Sequence, residues 1–250
     1  MAGALFPSFR KDYAPVVFIP LSDDNPLRSI SFQWVNVGLI VANVVAFFLQ
    51  NTEGAQASIL SFALIPSELF QAHLVGGAVP SPQQAVPIPE GLTLLTYQFM
   101  HGDIFHLLSN MLFLWVFGDN IEDALGHVKY LIFYLLCGVA GGLLHAVMLP
   151  SSPLPLIGAS GAVAGVIGAY LLLHPRVLVW VLAFRIIPLH IRAAWVLGIW
   201  VATQVIMVLV SPLDQVAWWA HIGGLAAGAI LVVFMRRPGV PLFDRDLRPV

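Results

Sequence analysis

Charge is what this sequence has least of. Only 10% of its 250 residues are Asp, Glu, Lys or Arg, while 59% are hydrophobic, and the mean hydropathy is +0.88. A soluble domain carries about 25% charged residues. That shortage excludes an ordinary soluble domain and points to a chain that crosses a membrane several times. Cysteine is nearly missing too. Cys137 stands alone, so no intrachain disulfide can form, and its place in an apolar run marks it as a small buried hydrophobe. Net charge is only -2, which gives no reason to expect nucleic acid as a partner. The H-E-x-x-H signature of a zinc protease is absent. No internal repeat and no soluble domain can be seen. A signal peptide is not expected, because Pro7, Asp12, Pro15, Pro20 and Asp23 interrupt the first 30 residues before any long apolar run.

Long apolar runs are what the sequence has instead. A spanning helix needs about 20 mostly apolar residues. Six segments qualify: 33–50, 104–118, 128–149, 159–174, 193–210 and 217–235. The stretch 177–191 is apolar but broken by Arg185 and Pro188, so it is expected to lie at the interface rather than to span. Lys and Arg mark the cytoplasmic side. With six spans, all eleven fall on the side of the N-terminus, and the connections 51–103, 150–158 and 211–216 contain none. The expected fold is therefore all-α: a polytopic six-helix bundle with both termini cytoplasmic. Residues 1–32 form a polar leader, 33–236 the membrane domain, and 237–250 a cytoplasmic tail. The long outer connection 51–103 is expected to lie partly in the membrane interface. Its apolar residues Phe62, Leu64, Ile65, Leu69 and Phe70 suggest this, and a Gly/Pro-rich piece follows them.

Polar groups inside a bilayer are expensive and point to function. Spans two, four and six all enter from the outer side under the charge rule. His106 and Asn110 then fall in the first turns of span two, Ser160 opens span four, and His221 lies one turn into span six. All four share one layer. His106 and Asn110 are four residues apart and share a helix face, so both can donate to one acceptor, as a developing oxyanion requires. His101, five residues before His106, can line the same pocket, as can Gly158 and Ala159 beside the serine. At a helix N-terminus the Ser160 N–H is a further donor. Gly161, Gly165 and Gly168 make a small-residue stripe on span four, and His221, Gly224 and Gly228 make one on span six. Such faces pack closely, which would bring the His221 imidazole to the Ser160 hydroxyl as a base. Spans four and six hold no Asp or Glu, so a dyad fits better than a triad. G-A-S-G-A at 158–162 lacks the second glycine of the soluble-hydrolase elbow. His73, His127, His145, His174 and His190 read as structural.

These residues resemble the rhomboid family of intramembrane serine proteases. The resemblance rests on "GASG" at 158–161, "HGDIFHLLSN" at 101–110 and "AHIGG" at 220–224, in that arrangement on spans four, two and six. It also takes in "FGDNIEDALG" at 117–126, similar to the family's turn after span two, with Glu122 as a structural cap or loop anchor. The resemblance implies Ser160 as nucleophile and His221 as general base and then acid. It implies an oxyanion hole from His106, Asn110 and the Ser160 N–H. The substrates it implies are single-span membrane proteins cut in or near the outer part of the span, reached from the lipid past a mobile span five. It implies no metal and no cofactor, and a bacterial inner membrane as the location. One departure is Val216, where the family often has glycine. A non-catalytic relative that binds membrane clients is expected to lack the serine or the histidine, and both are present. A channel would carry polar residues through the full depth, whereas "MLFLWVFG" and "LAAGAILVVFM" are apolar or glycine.

Overall fold

Without water, a backbone must satisfy its own polar groups, and a helix does so within one segment. In the computed structural model, which describes residues 18–50, 55–75, 88–184, 186–210 and 216–244, every one of the six apolar segments is helical. In chain order the elements are β1 (Phe18–Asp23), α1 (Trp34–Gln50), α2 (Ala55–Phe62), α3 (Pro66–Val75), α4 (Glu90–Thr96), a 3-10 turn (Tyr97–Phe99), α5 (Ile104–Leu125), α6 (His127–Met148), α7 (Ser160–Leu173), β2 (Leu178–Ala183), β3 (Ile187–Arg192), α8 (Ala193–Val210) and α9 (Trp218–Met235). Four of them, α5, α6, α8 and α9, are long and apolar enough to cross a membrane. Helices α1 and α7 are apolar but shorter, at 17 and 14 residues. The chain is a mostly helical, multi-pass integral membrane protein.

Helix α7 is the hub. Every residue from Gly161 to Tyr170 is buried, and its glycines let two neighbouring backbones touch it. A Cβ on Gly224 of α9 would overlap the Gly161 carbonyl, and one on Gly228 would overlap that of Gly165. On α6, a Cβ at Gly141 would stand 2.6 Å from the Ala220 carbonyl oxygen. Backbone contact of this kind replaces the hydrophobic drive that lipid denies to membrane helices.

Two expectations about secondary structure need correction. The fold is not all-α, because β1, β2 and β3 form an antiparallel sheet in that order. Strand β2 turns Val179, Val181 and Ala183 inward and leaves Leu178 and Trp180 outside. Apolar residues on both faces hid the alternation that marks a strand. The span expected to end at 118 continues as helix to Leu125, and the turn comes at Gly126, φ 85°. Its acidic last turns are sustained by the backbone donors they bind. Glu122 accepts from Val35 N (3.0 Å) and Asn36 N (2.7 Å), which caps the start of α1. Asp123 accepts from the N–H groups of Arg28, Ser29 and Ile30.

The described parts of both flanks pack on the bundle. β1 lies within the expected leader and pairs with β2. After α9 the chain folds back, and the N–H groups of Phe243 and Asp244 bond the Leu172 and Leu173 carbonyls at the end of α7. Both described chain ends therefore lie at the bundle end that carries the C-termini of α5, α7 and α9. The six described Lys and Arg residues, Arg28, Lys129, Arg176, Arg192, Arg236 and Arg237, lie at this end too. Expectations for residues 1–17, 51–54, 76–87, Arg185, 211–215 and 245–250, and for the His73 side chain, fall outside the described residues. In the long connection, Leu64, Ile65 and Leu69 are buried in the protein rather than turned to lipid. Leu64 pairs with Leu156 in an antiparallel bridge.

Candidate active site

The segment before α7 cannot be helical. Pro153 and Pro155 punctuate it, and Gly158 has φ +124°, a backbone region that side chains disfavour. The long connection holds this segment in place. Leu64 and Leu156 exchange backbone hydrogen bonds of 3.0 and 2.8 Å, the Ser67 N–H donates to the Ser152 carbonyl at 3.0 Å, and the Gly158 N–H donates to the Tyr97 carbonyl at 3.0 Å. The chain is thereby delivered to Ser160 as the first residue of α7. The first N–H groups of a helix have no intrahelical acceptor, so this end of α7 offers free donors beside the hydroxyl.

His221 stands in the first turn of α9, and its Nε2 is 2.8 Å from Ser160 Oγ. Its Nδ1 lies 2.7 Å from Gln204 Oε1 on α8. The Gln204 Nε2 donates to the Trp200 carbonyl at 3.1 Å, which turns the amide oxygen toward the imidazole. A carbonyl oxygen only accepts, so Nδ1 carries the proton and Nε2 is free to accept from the serine O–H. The imidazole also lies between two indoles, Trp200 at 5.9 Å and Trp218 at 6.0 Å.

Helix α5 supplies the opposite wall. Asp103 caps it by accepting from Phe105 N (2.8 Å) and His106 N (2.9 Å). The His106 ring lies against Gly158. A Cβ at Gly158 would stand 2.8 Å from His106 Nε2 and 3.7 Å from Ser160 Oγ. The missing side chain thus leaves open a position within hydrogen-bond reach of His106 and next to the hydroxyl. Asn110 follows one turn later and donates through Nδ2 to the His106 carbonyl at 3.1 Å, leaving its second N–H uncommitted. It shares the wall but does not bond the serine. His101 packs edge-on to His106 at 5.1 Å, and its Nε2 accepts from Ala159 N at 3.4 Å. Burial, reinforced by His106, lowers the His101 pKa from 6.5 to about 3, so this ring stays a neutral acceptor.

Of the residues expected at the site, Ser160, His221, His106, His101, Gly158 and Ala159 cluster as described, and Asn110 stands one turn beyond His106 on the same wall. Two carboxamides lie outside that expectation. Gln204 was the first, although a buried amide in an otherwise apolar span calls for a partner. Gln50 was the second. At the end of α1 it accepts from the His101 N–H at 3.0 Å and donates to the His101 carbonyl, anchoring the loop that leads into α5. Asn36, Asn43 and Gln50 recur every seven residues on one buried face of α1. That spacing was a legible sign. Three of the histidines read as structural have carboxylate partners away from the site: His127 on Glu122, His174 on Asp244 and His190 on Asp24. Among the described residues no cluster of metal-ligating side chains occurs.

Comparison with known proteins gives the chain a family context. Residues 89–238 match the family model described as the Rhomboid domain. The chain is 28% identical over 228 residues to RHOMBOID-like protein 12, mitochondrial, of Arabidopsis thaliana, covering 84% of this chain and 61% of the relative. It is 31% identical over 162 residues to the Rhomboid protease GluP of Bacillus subtilis, covering 62% of this chain and 28% of that protein. It is 33% identical over 96 residues to Rhomboid protein 1, mitochondrial, of Saccharomyces cerevisiae, covering 36% of this chain and 28% of the relative. The chain spans 61% or less of the length of each of these relatives.

Proposed function

The chain belongs to the rhomboid family, and from that premise we propose that it is an intramembrane serine endopeptidase acting on single-span membrane proteins. Cleavage falls in or near the outer part of the substrate span. Ser160 is the nucleophile. As Oγ attacks the scissile carbonyl, its proton passes to His221 Nε2, which then returns it to the leaving amine. Water, deprotonated by the same imidazole, releases the acyl group from Oγ. The oxyanion is held by His106, by the uncommitted N–H of Asn110 and by the Ser160 N–H at the head of α7. Gly158 and Ala159 form the floor, and His101 holds the Ala159 backbone. The close glycine faces of α7 and α9, at Gly161, Gly165, Gly224 and Gly228, hold the pair in register.

The observation that carries this reading is the 2.8 Å contact between Ser160 Oγ and His221 Nε2, with donors on both sides of the hydroxyl. The reading includes six crossings, α1 and α5 to α9, with both termini cytoplasmic. Its support is the gathering of every described Lys and Arg at one end, opposite Ser160. A bacterial inner membrane is the proposed location, on the six-helix core without an added span. Lipid is the surrounding partner, and no metal or cofactor takes part.

The test is labelling with a fluorophosphonate probe beside cleavage of a single-span test substrate. Wild-type protein should label and cleave, and Ser160→Ala and His221→Ala should do neither while keeping the wild-type melting temperature. Normal cleavage by Ser160→Ala would end the proposal.

A further inference from the structure

An imidazole can serve as a base only through the nitrogen that lacks a proton. In its neutral form the proton sits on one of two nitrogens, and the partner of the other decides which. If Nδ1 has no acceptor, the form protonated at Nε2 competes. That form donates to the serine and cannot take its proton.

The helices that carry Ser160 and His221, α7 and α9, supply no acceptor for Nδ1. The acceptor comes from α8. Gln204 Oε1 lies 2.7 Å from His221 Nδ1, and its own amide nitrogen is held by the Trp200 carbonyl. Gln204 is 5% exposed, although α8 leaves Ile199, Val205 and Ile206 at 44%, 46% and 54%. A lipid-facing helix thus turns its one buried carboxamide directly at the base. Trp200, one turn earlier, packs on the same imidazole and on Phe113 of α5.

We propose that Gln204 is a positioning residue that holds His221 in its catalytic tautomer, so that serine, histidine and glutamine form one hydrogen-bonded line across α7, α9 and α8. This rests on the protease reading above. The proton runs from Ser160 Oγ to Nε2, and the resulting imidazolium keeps its Nδ1–H on the amide oxygen. The acceptor is neutral, so no carboxylate is buried in the span. It also ties the readiness of the base to the seating of α8.

The test compares Gln204→Met with Gln204→Glu in the full-length protein. Both keep the side-chain length. Methionine removes the strong acceptor, whereas glutamate keeps an acceptor oxygen in either protonation state. Loss of the acceptor should lower kcat on the order of tenfold with KM unchanged, and slow fluorophosphonate labelling of Ser160 in parallel. Gln204→Glu should stay within about threefold of wild type. A space-filling role predicts the reverse order, with the apolar methionine tolerated and the buried acid not. Wild-type kcat in Gln204→Met overturns the proposal, as does a Gln204→Glu that folds yet loses as much as Gln204→Met. If Gln204→Met does not fold, as read by thermal unfolding, the rate of Gln204→Glu decides. A wild type that neither labels nor cleaves overturns the protease reading instead, so the two failures are distinct.

Discussion

Gly224→Ala offers a direct way to part the serine from its base without touching either. Gly224 lies one turn after His221 on α9, and its facing group is the Gly161 carbonyl, next to Ser160 on α7. A Cβ there would come within 2.7 Å of the Gly161 carbonyl carbon and closer still to its oxygen. Ordinary contact begins at 3.4 Å. Backbone cannot swing aside as a side chain can, so α9 must retreat by about 1 Å in a close-packed interior. The Oγ to Nε2 distance, now 2.8 Å, then passes the limit of a useful hydrogen bond. A misplacement of that size costs roughly 100-fold in rate, and the overpacking costs about 1–3 kcal/mol in stability. Gly198→Ala on α8 is the control, since its Cβ would meet nothing within 4 Å. It should match wild type or gain slightly from the better helix former. The assay is initial cleavage rate of a single-span substrate beside a thermal melt, both in detergent. Wild-type kcat and melting temperature in Gly224→Ala would refute the idea that backbone contact sets the distance between serine and base.

Two further outcomes concern the opposite end of the bundle. Burial raises the Asp23 pKa from 3.8 to about 6, against the opposing hydrogen bond from Tyr170. A raised carboxyl favours folding while protonated, so its contribution is fully present below pH 3.8 and is lost as pH rises through about 6. That amounts to on the order of 2–3 kcal/mol. Asp23→Asn should flatten the fall in melting temperature between about pH 4 and 6.5, and an unchanged slope would count against it. Glu122 accepts from two α1 backbone donors and from His127. Glu122→Ala should therefore lower stability by about 2–4 kcal/mol by leaving those donors buried and unpaired, as chemical or thermal unfolding would read. Glu122→Gln, which keeps one acceptor, should lose less.

Apolar length made the six main helices legible to within a few residues, save the far end of α5. Nothing competes with a helix for a long apolar run in lipid. The misreadings of the α5 carboxylates and of Gln204 share one physical cause. A side chain's partner across the fold leaves no local trace. Asp119, Glu122 and Asp123 read as a turn because charges rarely lie inside a membrane helix, yet backbone donors on residues 28–36 make Glu122 and Asp123 tenable there, and Asn120 donates to Asp119. Gln204 reads as an isolated amide, because the histidine that gives it meaning is 17 residues away on another helix. Ser160 and His221 are 61 residues apart and were nonetheless legible, because glycines on both helices announced a close approach. Gln204 has no such sign beside it.

The length of α7 then explains why the 51–103 connection is so long. Fourteen residues span about 21 Å, against about 30 Å of hydrocarbon. In the proposed six-crossing arrangement, with its C-terminus at the charged end, where Asp244 bonds both His174 and the Arg176 N–H, α7 would stop roughly 10 Å short of the far face. Ser160 would then be recessed, and the non-helical chain before it would descend with it. Irregular backbone at that depth is tolerated only when protein satisfies its polar groups. Leu64, Ser67, Tyr97 and His101 do this, each bonding the 152–159 backbone. All four belong to the connection between α1 and α5. The outer connection is thus the scaffold that lets a serine sit below the surface, and a shorter one would leave the descending strand without partners.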